Sequence, residues 1–349
     1  TVSNANGGTG LESITSIKYN APRDYSAQDR AVTAEDYKTL VKSLYANAQS
    51  VQVYGGEDAA VPDYGKVYIS IKAKSGSNLT VVTKESIIQS LKSYAVASVT
   101  PVIIDPETTF ITLSVNFRYN SGLTTKDVTT LQTNVLNAVA TYNNDTLEDF
   151  AGMFRYSQLL QTVNEADTSI LSNITTVKMY KLVTPTLNES LKYTLSFNNA
   201  LYNPHSGHNM TGGGIVSSTG FKISDDDSLN EHFLDDNGSG VLRVYYLSAS
   251  TRVYTDSTYG TVDYATGEVI LTSANITSIS NVDGATSTTI RVFAVPSSND
   301  IVPVRNQVLS IDTSNSTITG EVDGIISGGS QAGTTYTTTS SYSSGSSTY

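Results

Sequence analysis

Hydrophobic positions change rhythm partway along this 349-residue chain. Up to about residue 182, two periods take turns. Val67, Ile69 and Ile71 recur at every second residue, as do Ile111, Leu113, Val115 and Phe117, the spacing of half-buried strands. Residues 51–54 read as a short strand closed by Gly55-Gly56. Other stretches carry helical spacing. Tyr37, Leu40, Val41, Leu44 and Tyr45 form one apolar face behind an N-cap at Thr33, with Glu35 and Asp36 where a helix N-terminus favours negative charge. Ile87, Ile88, Leu91, Tyr94 and Ala95 form a second face, expected to start at Thr83. Val128, Leu131, Val135, Val139 and Tyr142 form a third, opened by Thr124 and Asp127. A further helix over 157–166 and a strand over 174–180 complete the order. Alternating strands between helices predict an α/β sandwich with helices on one face of a mixed or antiparallel sheet, because buried parallel strands would read as unbroken apolar runs.

Beyond about residue 183 the helical period fades. Short apolar segments are separated by N-P, G-G-G, N-G-S-G and V-D-G, an all-β grammar. The spacing predicts strands over 193–197, 241–247, 261–263, 268–271, 289–295 and 307–311, with a hairpin loop at 263–267. Residues 198–238 are polar and are expected to leave the sheet and contact something else. Residues 327–349 hold Ser, Thr, Gly and Tyr with no charged side chain, too little apolar area to offset their own ordering. The expected class is α+β. The expected parts are a linker and extended strap over 1–32, the α/β region over 33–182, a β-rich domain over 183–312 and an extended tail over 313–349.

The stretch 16–41 joins these patterns. Residues 17–20 are expected to be extended, and Pro22 disfavours the helical region for Ala21. Arg23, Asp24, Asp29 and Arg30 then place two acids between two guanidinium groups, which suits ion-paired fastening. The partner can be this chain's own first helix or a neighbouring subunit. Charge reversal at Arg30 separates the two.

Composition narrows the function. A net charge of −11 argues against a broad phosphate-binding surface, and so against a nucleic-acid partner. Without cysteine there is no disulfide framework, zinc–thiolate site or thiol nucleophile. No apolar run reaches a membrane span and no signal peptide opens the chain. Thr1 is not an initiator residue, so a processed or partial product is expected. Twenty-two tyrosines suit half-buried subunit contacts, although Tyr and Thr also simply favour strands.

Candidate chemistry is sparse. His205, His208 and His232 could gather around a metal, but their spacing follows no standard signature. Asp235, Asn237, Ser239 and Gly240 spell the opening of a calcium loop, yet Tyr246 stands where a bidentate Glu is required. Asp225-Asp226-Asp227 reads as a solvated charge run. T-G-G-G-I at 211–215 lacks the Lys of a phosphate loop, and no nucleophile elbow or zinc-protease motif is present. The expectation is no enzyme, no cofactor and no metal.

Three stretches carry a resemblance: A-P-R-D-Y-S-A-Q-D-R-A-V-T-A-E-D-Y at 21–37, V-Q-V-Y-G-G-E-D at 51–58 and Y-G-K-V-Y-I-S-I at 64–71. G-T-V-D-Y-A-T-G-E-V-I-L at 260–271 and the segment 292–311 agree. Together they resemble the baseplate J-like family of contractile phage tails, and within it the wedge proteins of T-even-type phages. The resemblance implies a structural protein of the virion tail baseplate. It implies pairing with a second copy, joining of wedges into a ring around the hub, and contacts with other wedge proteins. Arg23, Asp24, Asp29, Arg30, Tyr336, Tyr342 and Tyr349 are the expected interface residues, with the tail docking along a neighbouring subunit. An adhesin would instead call for repeats and fibre patterning, and a carbohydrate-active enzyme for convergent carboxylates.

Overall fold

The computed structural model describes residues 30–324 except 60, 75–77, 97, 209–213 and 227–229, together with 14, 17, 18, 21, 22 and 25. Helix α1 (Ala34–Leu44) begins at a reciprocal cap. Thr33 Oγ1 accepts from Asp36 N at 3.2 Å, and the Asp36 carboxylate accepts from Thr33 N at 2.8 Å. Partial burial pushes the Asp36 carboxyl upward, but the N–H donors of Thr33 and Val32 outweigh it and hold the group below its ordinary value.

Strands β1 (Ala48–Gly55) and β2 (Lys66–Ala73) pair antiparallel. Helix α2 (Val81–Lys92) then carries the chain across to β3 (Thr100–Ile104), parallel to β2, as a parallel pair requires. The sheet has three strands in the order β1-β2-β3. Tyr37, Leu40 and Val41 of α1, Ile87 and Leu91 of α2, and Val53, Ile69 and Ile71 of the strands bury one another.

After Asp105-Pro106 a second core begins. Strand β4 (Glu107–Tyr119) pairs antiparallel with β5 (Ile170–Val183), and between them come α3 (Val128–Tyr142), a π turn at Asn143–Leu147 and α4 (Tyr156–Glu165). The alternating Ile111, Leu113, Val115 and Phe117 share an apolar cluster with Leu131, Val135 and Val139 of α3 and Leu159 and Val163 of α4.

Ten further strands follow: β6 (Ser190–Ser196), β7 (Val216–Ser218), β8 (Phe221–Ile223), β9 (His232–Asp236), β10 (Val241–Ser248), β11 (Thr251–Asp263), β12 (Glu268–Ile279), β13 (Ile290–Ala294), β14 (Gln307–Ile311) and β15 (Thr317–Val322). Each of β8 to β12 pairs with its neighbours and β10 also pairs with β9, so these strands close into a barrel. At Gly260 a Cβ would strike the Ile270 carbonyl, so this crossing of β11 and β12 admits only glycine. Through β7 and β13 the barrel joins β5, and β14 and β15 return to run parallel to β4.

Several expectations meet the structure differently. The helices rest on two separate sheets, of three and twelve strands, rather than on one mixed sheet. The chain breaks pairing at Asp105-Pro106, where proline lacks the donor that would continue a ladder. Helix α2 is capped by Thr80, one turn before the expected Thr83, and α3 by Asp127. The described positions 14, 17, 18, 21, 22 and 25 are helical, where an extended strap was expected. Ile14, Ile17, Ala21 and Tyr25 recur at helical spacing, and the bias imposed on Ala21 by Pro22 is weaker than that period. Region 198–238 is no excursion. It supplies β7, β8, β9 and buried Ile215, Phe221 and Leu234. Residues 317–322, expected in the tail, form a strand.

Candidate interaction surfaces

The strongest polar constellation lies in the barrel. On β9, Asp235 accepts from Arg243 Nε at 2.9 Å, Arg252 Nη1 at 2.8 Å and the Tyr254 hydroxyl at 2.8 Å. The two guanidinium groups also stack on rings, Arg243 at 4.4 Å over Tyr254 and Arg252 at 4.6 Å over Tyr245. Next to it, Asp236 accepts from the backbone N–H groups of Ile215, Val216 and Gly238 and from the Tyr264 hydroxyl at 2.7 Å. Burial and the hydrogen bond to Asp236 push the Tyr264 hydroxyl far above its usual range. Both acids are almost fully buried and face donors alone, so they act as pegs that fix strand register. Asp235 is therefore not the first ligand of a calcium loop, because its oxygens are occupied by arginine and tyrosine.

The three histidines do not gather into one cluster among the described residues. His205 Nε2 lies 3.3 Å from His208 Nδ1 in an exposed turn. His232 is fully buried on β9, with Nδ1 donating to the Asn230 carbonyl at 2.9 Å and Nε2 accepting from Thr255 Oγ1 at 3.0 Å. Burial pushes its imidazole below the ordinary histidine value. Asp226 is no solvated run member, since it accepts from Asn230 and stands 3.5 Å from His232 Nε2.

On the face of the main sheet, Phe110, Tyr180 and Phe293 form a row with ring centroids 4.9 and 5.2 Å apart. Arg291 lies beside it, bonded to Asp283 at 2.9 Å and Asn315 at 2.8 Å, next to a groove of about 440 Å³. A larger cleft of about 710 Å³ separates the three-stranded unit from the main sheet, lined by Lys72, Asn78, Glu107, Phe110, Lys181 and Ser310 among others. Polar contacts span this boundary. Ser50 Oγ donates to Asp149 at 3.0 Å, Lys72 stands 3.9 Å from Glu148, and Arg305 stands 3.9 Å from Asp58 and 5.8 Å over the Tyr54 ring. The two apolar clusters share no residue.

Of the expected interface residues, Arg30 is described and exposed. Arg23, Asp24, Asp29, Tyr336, Tyr342 and Tyr349 lie outside the described residues. The barrel network was not among the expected sites. Its signal was an arginine inside the apolar run V-L-R-V-Y-Y, which needs a buried acid nearby, and E-H-F-L-D-D supplies one across the hairpin.

Comparison with known proteins locates the two units. Residues 33–104 match the family model of baseplate structural protein gp6, C-terminal domain I, and residues 107–182 match that of C-terminal domain III. The baseplate wedge protein gp6 of Enterobacteria phage T4 is 32% identical over 180 residues, covering 51% of this chain and 27% of that protein. This chain thus aligns with about a quarter of its curated relative's length. A cryo-EM structure of the anti-feeding prophage baseplate, 6-fold symmetrised, overlaps 49% of this chain and 38% of its own at 16% identity, with a TM-score of 0.35 that is too loose for a structural argument. Two gp6 domain models thus match in immediate succession over residues 33–182, the first ending with the three-stranded sheet, and this part of the chain is similar to a gp6 baseplate protein.

Proposed function

We propose that this chain is a structural subunit of a phage tail baseplate wedge, sited in the virion tail. It pairs with a second copy, joins neighbouring wedges into a ring around the hub, and shifts its contacts when the tail contracts. The observation that carries this reading is the side-by-side match to gp6 domains I and III, with 32% identity to a baseplate wedge protein. The architecture suits the role. An apolar boundary would weld the 31–104 unit to the sheet, whereas the polar contacts at Ser50, Lys72 and Arg305 can exchange for others at small cost. Contacts from Arg23, Asp24, Asp29 and Arg30, and docking of Tyr336, Tyr342 and Tyr349 along a neighbour, belong to the same proposal. Other wedge proteins are the further partners, and no catalytic role is assigned.

The test is the mass of the full chain by light scattering over a concentration series in chelator. A dimer or larger species is expected, with the chelator removing metal bridging as its cause. A monomer at every concentration would contradict self-pairing.

A further inference from the structure

We infer that the outer edge of β15 is a self-pairing seam, with Thr317–Val322 of one chain adding antiparallel to the same strand of a second copy about Gly320. This rests on the self-pairing reading above and names its surface. The phase of the strand is fixed by Asp323 N, which donates to the Tyr119 carbonyl at 2.8 Å. In a parallel ladder alternate residues address the partner, so Thr319 and Glu321 bond to β4, while Ile318, Gly320 and Val322 turn their N–H and C=O groups outward. Among the described residues β4 is the strand that β15 pairs with, and no described strand pairs with its other side.

Three other edge strands among the described residues are guarded. Along the same side of β4, the outward N–H of Ile311 on β14 donates to Asn143 Oδ1 at 2.6 Å, so the π turn covers that stretch. On β3, Thr100 N donates to the Gly65 carbonyl, which turns position 101 outward, and Pro101 has no donor to offer. Strand β6 carries the exposed Lys192. Strand β15 has no proline, no lysine and no bulge, and its register to β4 runs unbroken from Thr317 to Val322. Natural sheets rarely leave such an edge open to addition unless addition is its use.

The edge is also complementary to itself. Antiparallel pairing centred on Gly320 sets Ile318 opposite Val322 and Gly320 opposite its own copy, the outward-facing set meeting itself. Thr319 then stands opposite Glu321, so no like charges meet. A Cβ at Gly320 would lie 2.5 Å from Phe117 Cζ, so glycine there seats the strand tightly on the core. Thr319 and Glu321 are exposed, with Glu321 Oε1 accepting from Asn116 at 3.3 Å, and both are open to a facing strand.

Substitutions of opposite sign test this in the full chain. Thr319→Glu places a carboxylate opposite Glu321 twice per pair, and Thr319→Lys places an ammonium there twice. Val322→Pro removes an outward donor while leaving the bonds to β4. Far-UV circular dichroism and melting temperature confirm that each variant folds. Light scattering is expected to show dimerisation weakened about tenfold by Thr319→Glu and by Val322→Pro. Thr319→Lys is expected to tighten it severalfold at low salt, a gain lost at high salt. A dimer that all three variants leave unchanged would overturn the seam and leave self-pairing intact. Equal weakening by Glu and Lys would also overturn it, since the facing strand would not carry Glu321. A wild-type chain that stays monomeric would overturn self-pairing, and the seam with it.

Discussion

The barrel and the three-stranded unit solve the same problem with opposite chemistry. The unit of residues 31–103 closes over aliphatic side chains and Tyr37, with Leu91 and Ile69 fully buried. Strands β8 to β12 enclose aliphatic side chains too, but beside them they bury Asp235, Asp236, His232 and Arg243. Apolar packing is tolerant of small shifts, because methyl groups have no directional partners. A carboxylate held by two arginines and a tyrosine is satisfied in one register alone. The barrel is therefore built for one geometry, and the smaller unit for attachment that can change. Under the proposed role in a ring that holds and then rearranges, that division places rigidity in the barrel and adjustment at the Ser50–Asp149 boundary.

The largest expected effect breaks the barrel. Asp235→Ala strands two guanidinium groups, one of them buried, and is expected to cost about 3–5 kcal/mol, read by chemical denaturation and loss of near-UV circular dichroism. The three-stranded unit should be hit by packing instead. Leu91→Ala is expected to cost about 2–4 kcal/mol and to bring forward a separate early transition in calorimetry, since the two apolar clusters do not meet. A single merged transition would show that the two regions are coupled more tightly than their contacts imply.

A smaller effect is set by pH. Lys126, 2.5 Å away, and the N–H and hydroxyl of Ser169 hold the Asp167 carboxyl at about 2 against an ordinary 3.8. A lowered value means that the contribution is full above about pH 4 and is lost as pH falls toward 2. It amounts to about 1–2 kcal/mol, and Asp167→Asn should flatten stability over that window. The smallest is Thr33→Ala, expected to cost about 1 kcal/mol by removing the cap of α1, measured as an earlier melt of the same unit.

The helical half was legible because spacing and caps speak locally. Ile111 to Phe117 alternate in the sequence and are buried in the structure, and Thr33 caps the helix its first-turn acids suggest. The division into two sheets was not legible, since periodicity shows which face is buried and not what buries it. The barrel was harder still. Residues 232–236 look like a polar loop because their acids and histidine are buried by partners on another strand, Arg243 and Arg252 for Asp235 and Thr255 for His232. The β15 edge has no sequence signature, because openness belongs to the neighbours a strand lacks.

Cryo-electron microscopy of virions that carry this chain tests the assignment most directly. The expected map places the chain in the baseplate as copies related by local two-fold axes, with β15 at the contact and the ring continuing between wedges. Density for the chain at a fibre tip, or a baseplate without it, would contradict the assignment.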